Sequence, residues 1–136
     1  GADLRSARVD SRTSLAGTNL VGAILGEVVD LRLATLSSAD LTGQDMSGMN
    51  LEEAELSGAQ LSGARLDGAQ LAGARLTGAN LRKAVLTGAN LAGADLSGCD
   101  LTGSVLSGAN VEGANLAGAV LVDADVSEVT MMNANL

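Results

Sequence analysis

The sequence has no Phe, Trp, Tyr, His or Pro. Globular cores normally use aromatic side chains because each one buries a large area. A core built without them must be narrow enough to be filled by Leu, Ala and Val.

Without His the usual acid–base catalyst near neutral pH is missing, and the single Cys99 can neither close an internal disulfide nor make a soft metal site. We therefore expect a protein that is not an enzyme and that holds no cofactor or metal.

Long apolar runs are also lacking. No stretch approaches the ~18 residues that a membrane-spanning helix needs, so we expect no insertion into a membrane. The chain starts with Gly rather than Met and shows no basic segment followed by an apolar one, as a signal peptide would. A targeting peptide that was removed earlier remains an open alternative.

What the sequence does contain is a repeat of five residues. The stretch "LSGAQLSGARLDGAQLAGARLTGANL", residues 56–81, returns to Leu at every fifth position, and from Leu31 to Leu136 that spacing is unbroken. We call the large aliphatic residue the centre of each unit. The residue two before it is usually Ala, and the residue just before it is usually polar. The two residues after it are mostly Ser, Thr or Ala and then Gly, so the motif is A-(D/N)-L-(S/T)-G.

A period of five excludes both regular secondary structures. On a helix the Leu row would spiral around all faces, and Gly in nearly every unit would cost about 1 kcal/mol each. On a flat strand successive centres would alternate between faces, because five is odd. The remaining solution is a chain that turns a corner at every unit, so that four units close a square coil with Leu and Ala inside. Coils would then stack at ~4.8 Å, as neighbouring strands do.

This geometry predicts which residues form the core. The centres expected to be buried are Leu41, Leu51, Leu56, Leu61, Leu66, Leu71, Leu76, Leu81, Leu86, Leu91, Leu96, Leu101, Leu106, Leu116 and Leu121.

The repeat slips by one residue at two places upstream. Leu4 and Val9 are in step with each other, whereas Leu15 and Leu20 belong to a second set. We assign the extra residues to bulges near positions 12 and 28. Residues 1–136 are then one domain of about 6.75 coils, at four repeat units per coil.

Units such as "ADLTG", "ANLAG" and "ADLSG" closely resemble the pentapeptide-repeat family, and the resemblance extends over essentially the whole chain. It implies an all-β fold, a right-handed quadrilateral parallel β-helix. It says less about activity, because one fold serves many functions. We expect a non-enzymatic structural or protein-interaction scaffold whose protein partner is unknown. A bacterial cytoplasm is the expected compartment, and the thylakoid lumen, where some relatives occur, is the alternative.

Acidic residues dominate the C-terminal part of the chain. The net charge is −8, and every basic residue precedes residue 84. An acidic surface without aromatic side chains is unsuited to nucleic acid, so we expect none as a ligand. The interpretations left open are a surface that binds a protein partner and charge that only keeps the protein soluble. The candidate partner-binding carboxylates are Asp95, Asp100, Glu112, Asp123, Asp125 and Glu128.

The alternative function also concerns this acidic part. Some relatives resemble a DNA duplex in shape and charge and bind type II topoisomerases, which gives quinolone resistance. A rod of this length matches about nine base pairs, which carry roughly 18 phosphates, and six carboxylates are far fewer. Those relatives also carry aromatic centres, loop insertions and a dimerising C-terminal segment, none of which this sequence shows. We therefore keep the acidic DNA mimic as the second hypothesis.

Residues twenty apart should lie above one another on the outer surface. Asn50, Gln70, Asn90 and Asn110 form one such column, an amide ladder that would support stacking. Val85 and Val105 form part of another, with Arg65 below and Asp125 above. The two Val side chains are candidates for a partner contact, or scattered apolar residues of the kind that any surface carries.

The ends of the rod raise a separate expectation. An open coil exposes backbone groups that can pair with another chain. We therefore expect a tendency towards end-to-end association between copies.

Overall fold

The computed structural model describes residues 30–136. In this part of the chain the backbone forms isolated parallel β-bridges rather than continuous strands or helices. Each residue that precedes a centre pairs with the residue twenty positions later, from Asp30 with Asn50 to Asn115 with Asn135. Four repeat units therefore make one coil. The two register shifts expected near residues 12 and 28 lie outside the described residues.

A tight turn follows every centre. In the first described unit, the N–H of Ala34 donates to the carbonyl of Leu31 at 3.0 Å. The third residue of this turn, Leu33, has φ of 58°. A positive φ at that position alone is the pattern of a type II turn, and it explains why Gly recurs there. The expected corner in every unit is thus confirmed.

Backbone N–H groups are satisfied by a pattern that repeats from unit to unit. In the unit of Leu51, the N–H of the centre donates to the Gln70 carbonyl of the next coil at 2.7 Å, and that of Glu53 donates to Ala72 at 2.9 Å. The N–H of Glu55 donates to Ala34 of the previous coil at 2.9 Å. Since buried backbone groups must be paired, this ladder ties each coil to both neighbours and makes the stack cooperative.

The side chains of the centres and of the preceding small residues fill the interior. The fold is therefore a right-handed quadrilateral β-helix. Of the centres predicted to be core, those from Leu41 to Leu116 are buried. The prediction is wrong for Leu121, which is only partly buried. Within residues 30–136 no further coil lies above it, which leaves its upper edge uncovered there.

The coil has four sides, which we number in chain order from the unit of Leu31. Side 1 carries the column that includes Asn90, side 2 the column of Asp95, side 3 the column of Asp100 and side 4 the column of Val105. Outward residues lie on the sides, and the two turn residues lie at the corners. Within residues 30–136 the structure contains no helix able to span a bilayer.

Candidate interaction surfaces

The polar residue just before each centre completes the hydrogen bonding of its own turn. Asn110 accepts from the N–H of Glu112 at 3.0 Å, and Asp100 accepts in the same way from Thr102 at 3.0 Å. Every Asp and Asn at this position from Asp30 to Asp125 makes this bond. This N–H belongs to the residue after the centre, and it takes part neither in the bonds between coils nor in the turn bond. A short side-chain acceptor is therefore favoured at the position just before the centre.

The amide ladder on side 1 is confirmed over three of its four residues. Asn90 donates from Nδ2 to Oε1 of Gln70, and Asn110 donates from Nδ2 to Oδ1 of Asn90, both at 3.4 Å. Side 2 carries a similar ladder that the sequence reasoning did not single out. There Asn135 donates to Asn115 at 2.9 Å and Asn115 donates to Asp95 at 3.2 Å. The spacing of twenty between amides could have revealed it.

The six candidate carboxylates do not share one surface. Asp95, Asp100 and Asp125 lie on sides 2, 3 and 4 in turn. Glu112 lies at the corner between sides 1 and 2, Asp123 between sides 3 and 4, and Glu128 between sides 4 and 1. The folded chain therefore brings together only Asp123, Asp125 and Glu128, which surround side 4 of the last complete coil.

Local hydrogen bonds already engage three of these carboxylates: Asp125 accepts from the N–H of Ser127 at 2.9 Å, and Asp95 and Asp100 each accept from several donors. Bonds from Thr102, reinforced by the guanidinium of Arg82 at 2.9 Å, lower the pKa of Asp100 to about 2. Bonds from Ser97, Thr77 and Asn115 lower the pKa of Asp95. Both groups are thus held ionised by the protein's own donors, which leaves them less available to a partner than Glu112 or Glu128.

Side 4 contains the two candidate valines. Val85 pairs with Arg65 below and with Val105 above, and Val105 pairs with Asp125. Both Val side chains are half-buried rather than fully exposed. Arg65 is more than half exposed and contacts Asp45 at 3.4 Å and Asp67 at 3.3 Å. The column therefore presents a cation, two apolar residues and an anion in a straight line, which we call the valine column.

Cys99 occupies one of the small inward positions, and its thiol donates to the carbonyl of Leu76 at 2.9 Å. Burial raises the pKa of this thiol to about 11. A thiol that is neither ionised nor accessible is a poor nucleophile. The structure thus supports a packing role for Cys99.

The last turns of the chain leave apolar side chains exposed. Among the centres there, Val126 is 40% exposed and Met131 38% exposed. Within residues 30–136 no coil lies above these two centres, which leaves their upper edges uncovered there. These residues are consistent with end-to-end association between copies, which stays a prediction.

A sequence model of pentapeptide repeats, with 8 copies, matches residues 30–68, 64–103 and 99–136. This chain belongs to the pentapeptide-repeat family. The match extends over the same residues whose backbone follows the coil, so sequence and structure agree on the unit.

Solved structures of the family resemble this pentapeptide-repeat protein. One is alr5209 from Nostoc PCC 7120, which is 36% identical, with a TM-score of 0.56 over 57% of this chain and 64% of that one. A second is AT2G44920 from the Arabidopsis thaliana thylakoid lumen, at 32% identity and a TM-score of 0.45 over 72% of this chain and 61% of that one. This chain thus spans a little under two thirds of the length of either protein.

A third similar structure is HetL from Nostoc sp. strain PCC 7120, a pentapeptide-repeat protein involved in the regulation of heterocyst differentiation. It is 27% identical, with a TM-score of 0.45 over 100% of this chain and 81% of that one. A search of curated proteins finds no match to this chain.

Proposed function

We propose that this pentapeptide-repeat protein is a non-enzymatic scaffold that binds a protein partner through the outer sides of its coil. The partner is expected to be basic, because the chain carries a net charge of −8. Neither a cofactor nor nucleic acid is part of the proposal.

The observation that carries this proposal is the division of labour within each repeat unit. Inward positions are filled by Leu and Ala, and the centres from Leu31 to Leu116 have no more than a few per cent of their surface exposed. The inside therefore supports the backbone, and the side chains that vary from unit to unit all point outward. Outward side chains held on a stiff ladder are suited to recognition of another surface, because little conformational entropy is lost on binding.

Four features make catalysis a weak alternative. The chain has no His, and its thiol is buried. Within residues 30–136, no three His, Cys, Asp or Glu side chains are grouped so that they could hold a metal ion. The described carboxylates mostly accept bonds from their own turns, as Asp125 does from Ser127. Their arrangement is explained by the coil without invoking a reaction.

The experiment that tests the proposal has two stages. The protein is first used as bait in extract of its native organism, and captured proteins are identified. Each is then purified and its affinity measured for the wild type and for a variant with Asp123→Asn, Asp125→Asn and Glu128→Gln. A second variant carries Glu52→Gln, Glu53→Gln and Glu112→Gln, which removes the same charge near side 1. A partner that binds the wild type and loses at least tenfold with either variant supports the proposal. If no purified protein binds, or if both variants bind like the wild type, the proposal is wrong.

The second candidate is the acidic DNA mimic that binds a type II topoisomerase. The placement of the carboxylates gives it less support, since they lie around all sides instead of following two parallel lines as phosphates do. Its test is a DNA supercoiling assay with gyrase. Inhibition that weakens with added salt would favour the mimic over the general scaffold, and an unchanged supercoiling rate would remove it.

The scaffold proposal fits the bacterial cytoplasm that we expect. The thylakoid lumen is the alternative compartment. Cell fractionation with an antibody against the protein distinguishes the two.

A further inference from the structure

We infer that side 4 is a self-complementary surface through which two copies of this chain pair side by side in antiparallel orientation. The inference is independent of the proposed function, because the occupant is a second copy and not a foreign partner. It also concerns a side of the rod and not its ends.

The order of residues along the valine column is the first observation. Arg65, Val85, Val105 and Asp125 follow one another at successive coils. The two copies are related by a two-fold axis that lies in the contact plane, at right angles to the rod and level with the midpoint between Val85 and Val105. This axis reverses the order of the column in the second copy. Val85 of one copy then faces Val105 of the other, and Arg65 faces Asp125. In such an isologous contact each of these two residue pairs occurs twice.

The second observation is that the two valines are apolar and make no bond to their own turn, unlike the Asp and Asn residues at the same position. Where Asp or Asn precedes a centre, its side chain accepts the N–H two residues later, as Asp125 does from Ser127 at 2.9 Å. Val85 and Val105 have no acceptor, so Thr87 and Ser107 lose this bond within their turns. Partial burial of both valines by a flat apolar partner would offset the loss.

The charges at the two ends of the column are suited to such a pair. Asp125 is exposed and lies in no ion pair among the described residues. Arg65 contacts Asp45 and Asp67 of its own chain but keeps 58% of its side chain exposed. Its planar guanidinium has donors in several directions and can bind a further carboxylate. An Asp125 carboxylate from the second copy would complete this cluster.

The corner residues modulate the strength of the contact. The same two-fold axis keeps each corner column opposite its own counterpart, with the order of the coils reversed. Lys83 then lies one coil from Asp123 of the second copy, which is favourable. Asp67 lies across from Glu128 of the second copy, which is unfavourable. The unfavourable pair is the closer of the two, so the corners weaken the contact and the valine column itself must hold the pairing.

The expected dimer is weak. A side spans about three extended residues, roughly 10 Å, and four coils span roughly 19 Å. The area buried is then on the order of 200–300 Å² per copy, well below the ~800 Å² per partner of a standard interface. We expect a dissociation constant in the high micromolar to millimolar range. Binding of several copies to a common partner would raise their local concentration and thereby control the formation of the dimer.

The test is a charge-swap experiment followed by sedimentation equilibrium from about 20 µM to 2 mM at low ionic strength. Arg65→Asp and Asp125→Arg each place like charges opposite each other twice and should weaken the dimer at least tenfold. The double variant Arg65→Asp with Asp125→Arg restores both pairs and should return the dissociation constant to within about threefold of the wild type. Glu112→Arg changes charge by the same amount as Asp125→Arg at a distant corner and should leave the dimer intact. Circular dichroism and thermal unfolding establish that each variant is folded.

Several outcomes overturn the inference. A strict monomer at 2 mM excludes the pairing. Association that the double variant fails to restore shows that Arg65 and Asp125 do not meet across the interface. Association that is unaffected by either single reversal but lost with Met131→Asp assigns the contact to the ends of the rod instead.

Discussion

Asn110 lies directly above Asn90 and donates its side-chain amide to it, Nδ2 to Oδ1 at 3.4 Å. The same Oδ1 of Asn90 also accepts the N–H of Ala92 at 3.3 Å. One amide thus completes its own turn and connects two coils. This double use explains why Asn and Asp recur before the centres, and it leads to the first prediction.

Removal of the Asn90 side chain should destabilise the coil through the loss of these two bonds and of the bond that Asn90 donates to Gln70. We expect Asn90→Ala to lower the free energy of unfolding by about 1–2 kcal/mol, since each net hydrogen bond contributes about 0.5–1.5 kcal/mol. Asn90→Asp keeps the acceptor for Ala92 but loses the donor to Gln70, so it should cost less than Asn90→Ala at neutral pH. Urea unfolding followed by circular dichroism measures both. Equal losses for the two variants would contradict a role of the turn bond.

Installation of the missing acceptor on side 4 should do the reverse. Val85→Asn supplies an Oδ1 for the N–H of Thr87, and we expect it to raise the free energy of unfolding by about 0.5–1 kcal/mol. Val85 is half-buried, so little apolar burial is lost. The same variant should weaken self-association, because it removes an apolar residue from the valine column. Unfolding in urea tests the first effect and sedimentation tests the second. A destabilised variant would show that Val85 supports the fold.

The cost of truncating a centre should depend on whether a coil covers it. Leu81 is completely buried between two coils, and Leu81→Ala should cost about 2–5 kcal/mol. Leu121 is only partly buried, so we expect Leu121→Ala to cost no more than half as much. Both are compared by their urea midpoints and unfolding slopes. Similar losses at the two positions would mean that the end of the rod is covered in solution, for instance by a second copy.

Acid should weaken the protein partly through Asp100. Its folded pKa of about 2 lies below the ordinary value of 3.8, so the ionised carboxylate stabilises the folded state. This contribution is complete above about pH 4 and is lost as the pH falls towards 2. We expect Asp100→Asn to make stability less dependent on pH in this window, while the turn bond to Thr102 is kept.

The cause of this shift can be tested at the same residue. Arg82→Gln should raise the pKa of Asp100, but not to its ordinary value, because the bonds from Thr102 contribute first. Titration of the Asp100 carboxyl carbon by NMR measures this directly. A pKa that is unchanged in Arg82→Gln would show that the 2.9 Å contact is not maintained in solution.

Cys99 should be unreactive in the folded protein. Its thiol is buried and its pKa is raised to about 11. We expect Ellman's reagent at pH 8 to label the native protein at least a hundredfold more slowly than the protein unfolded in urea. Labelling at similar rates would show that the coil around Leu76 opens readily.

The five-residue repeat was sufficient to predict the coil and most of its core. Leu at the centre, Ala two residues before it and Gly at the corner act within one unit and its direct neighbours, so their roles can be inferred from local spacing. Asn90 and Asn110 could be placed above one another in the same way, because twenty residues close one coil. Leu121 could not be judged so simply, since burial depends on whether another coil covers the residue.

The outer surface was decided by the folded chain. Asp95, Asp100 and Asp125 occur close together in the sequence, yet the coil turns them to three different sides. Arg65 and Asp45 are twenty residues apart, and stacking brings them to 3.4 Å. A period of five settles which residues point inward because that choice is local. Which charges and apolar residues meet on the outside depends on the order in which whole coils are stacked, and only the tertiary structure shows it.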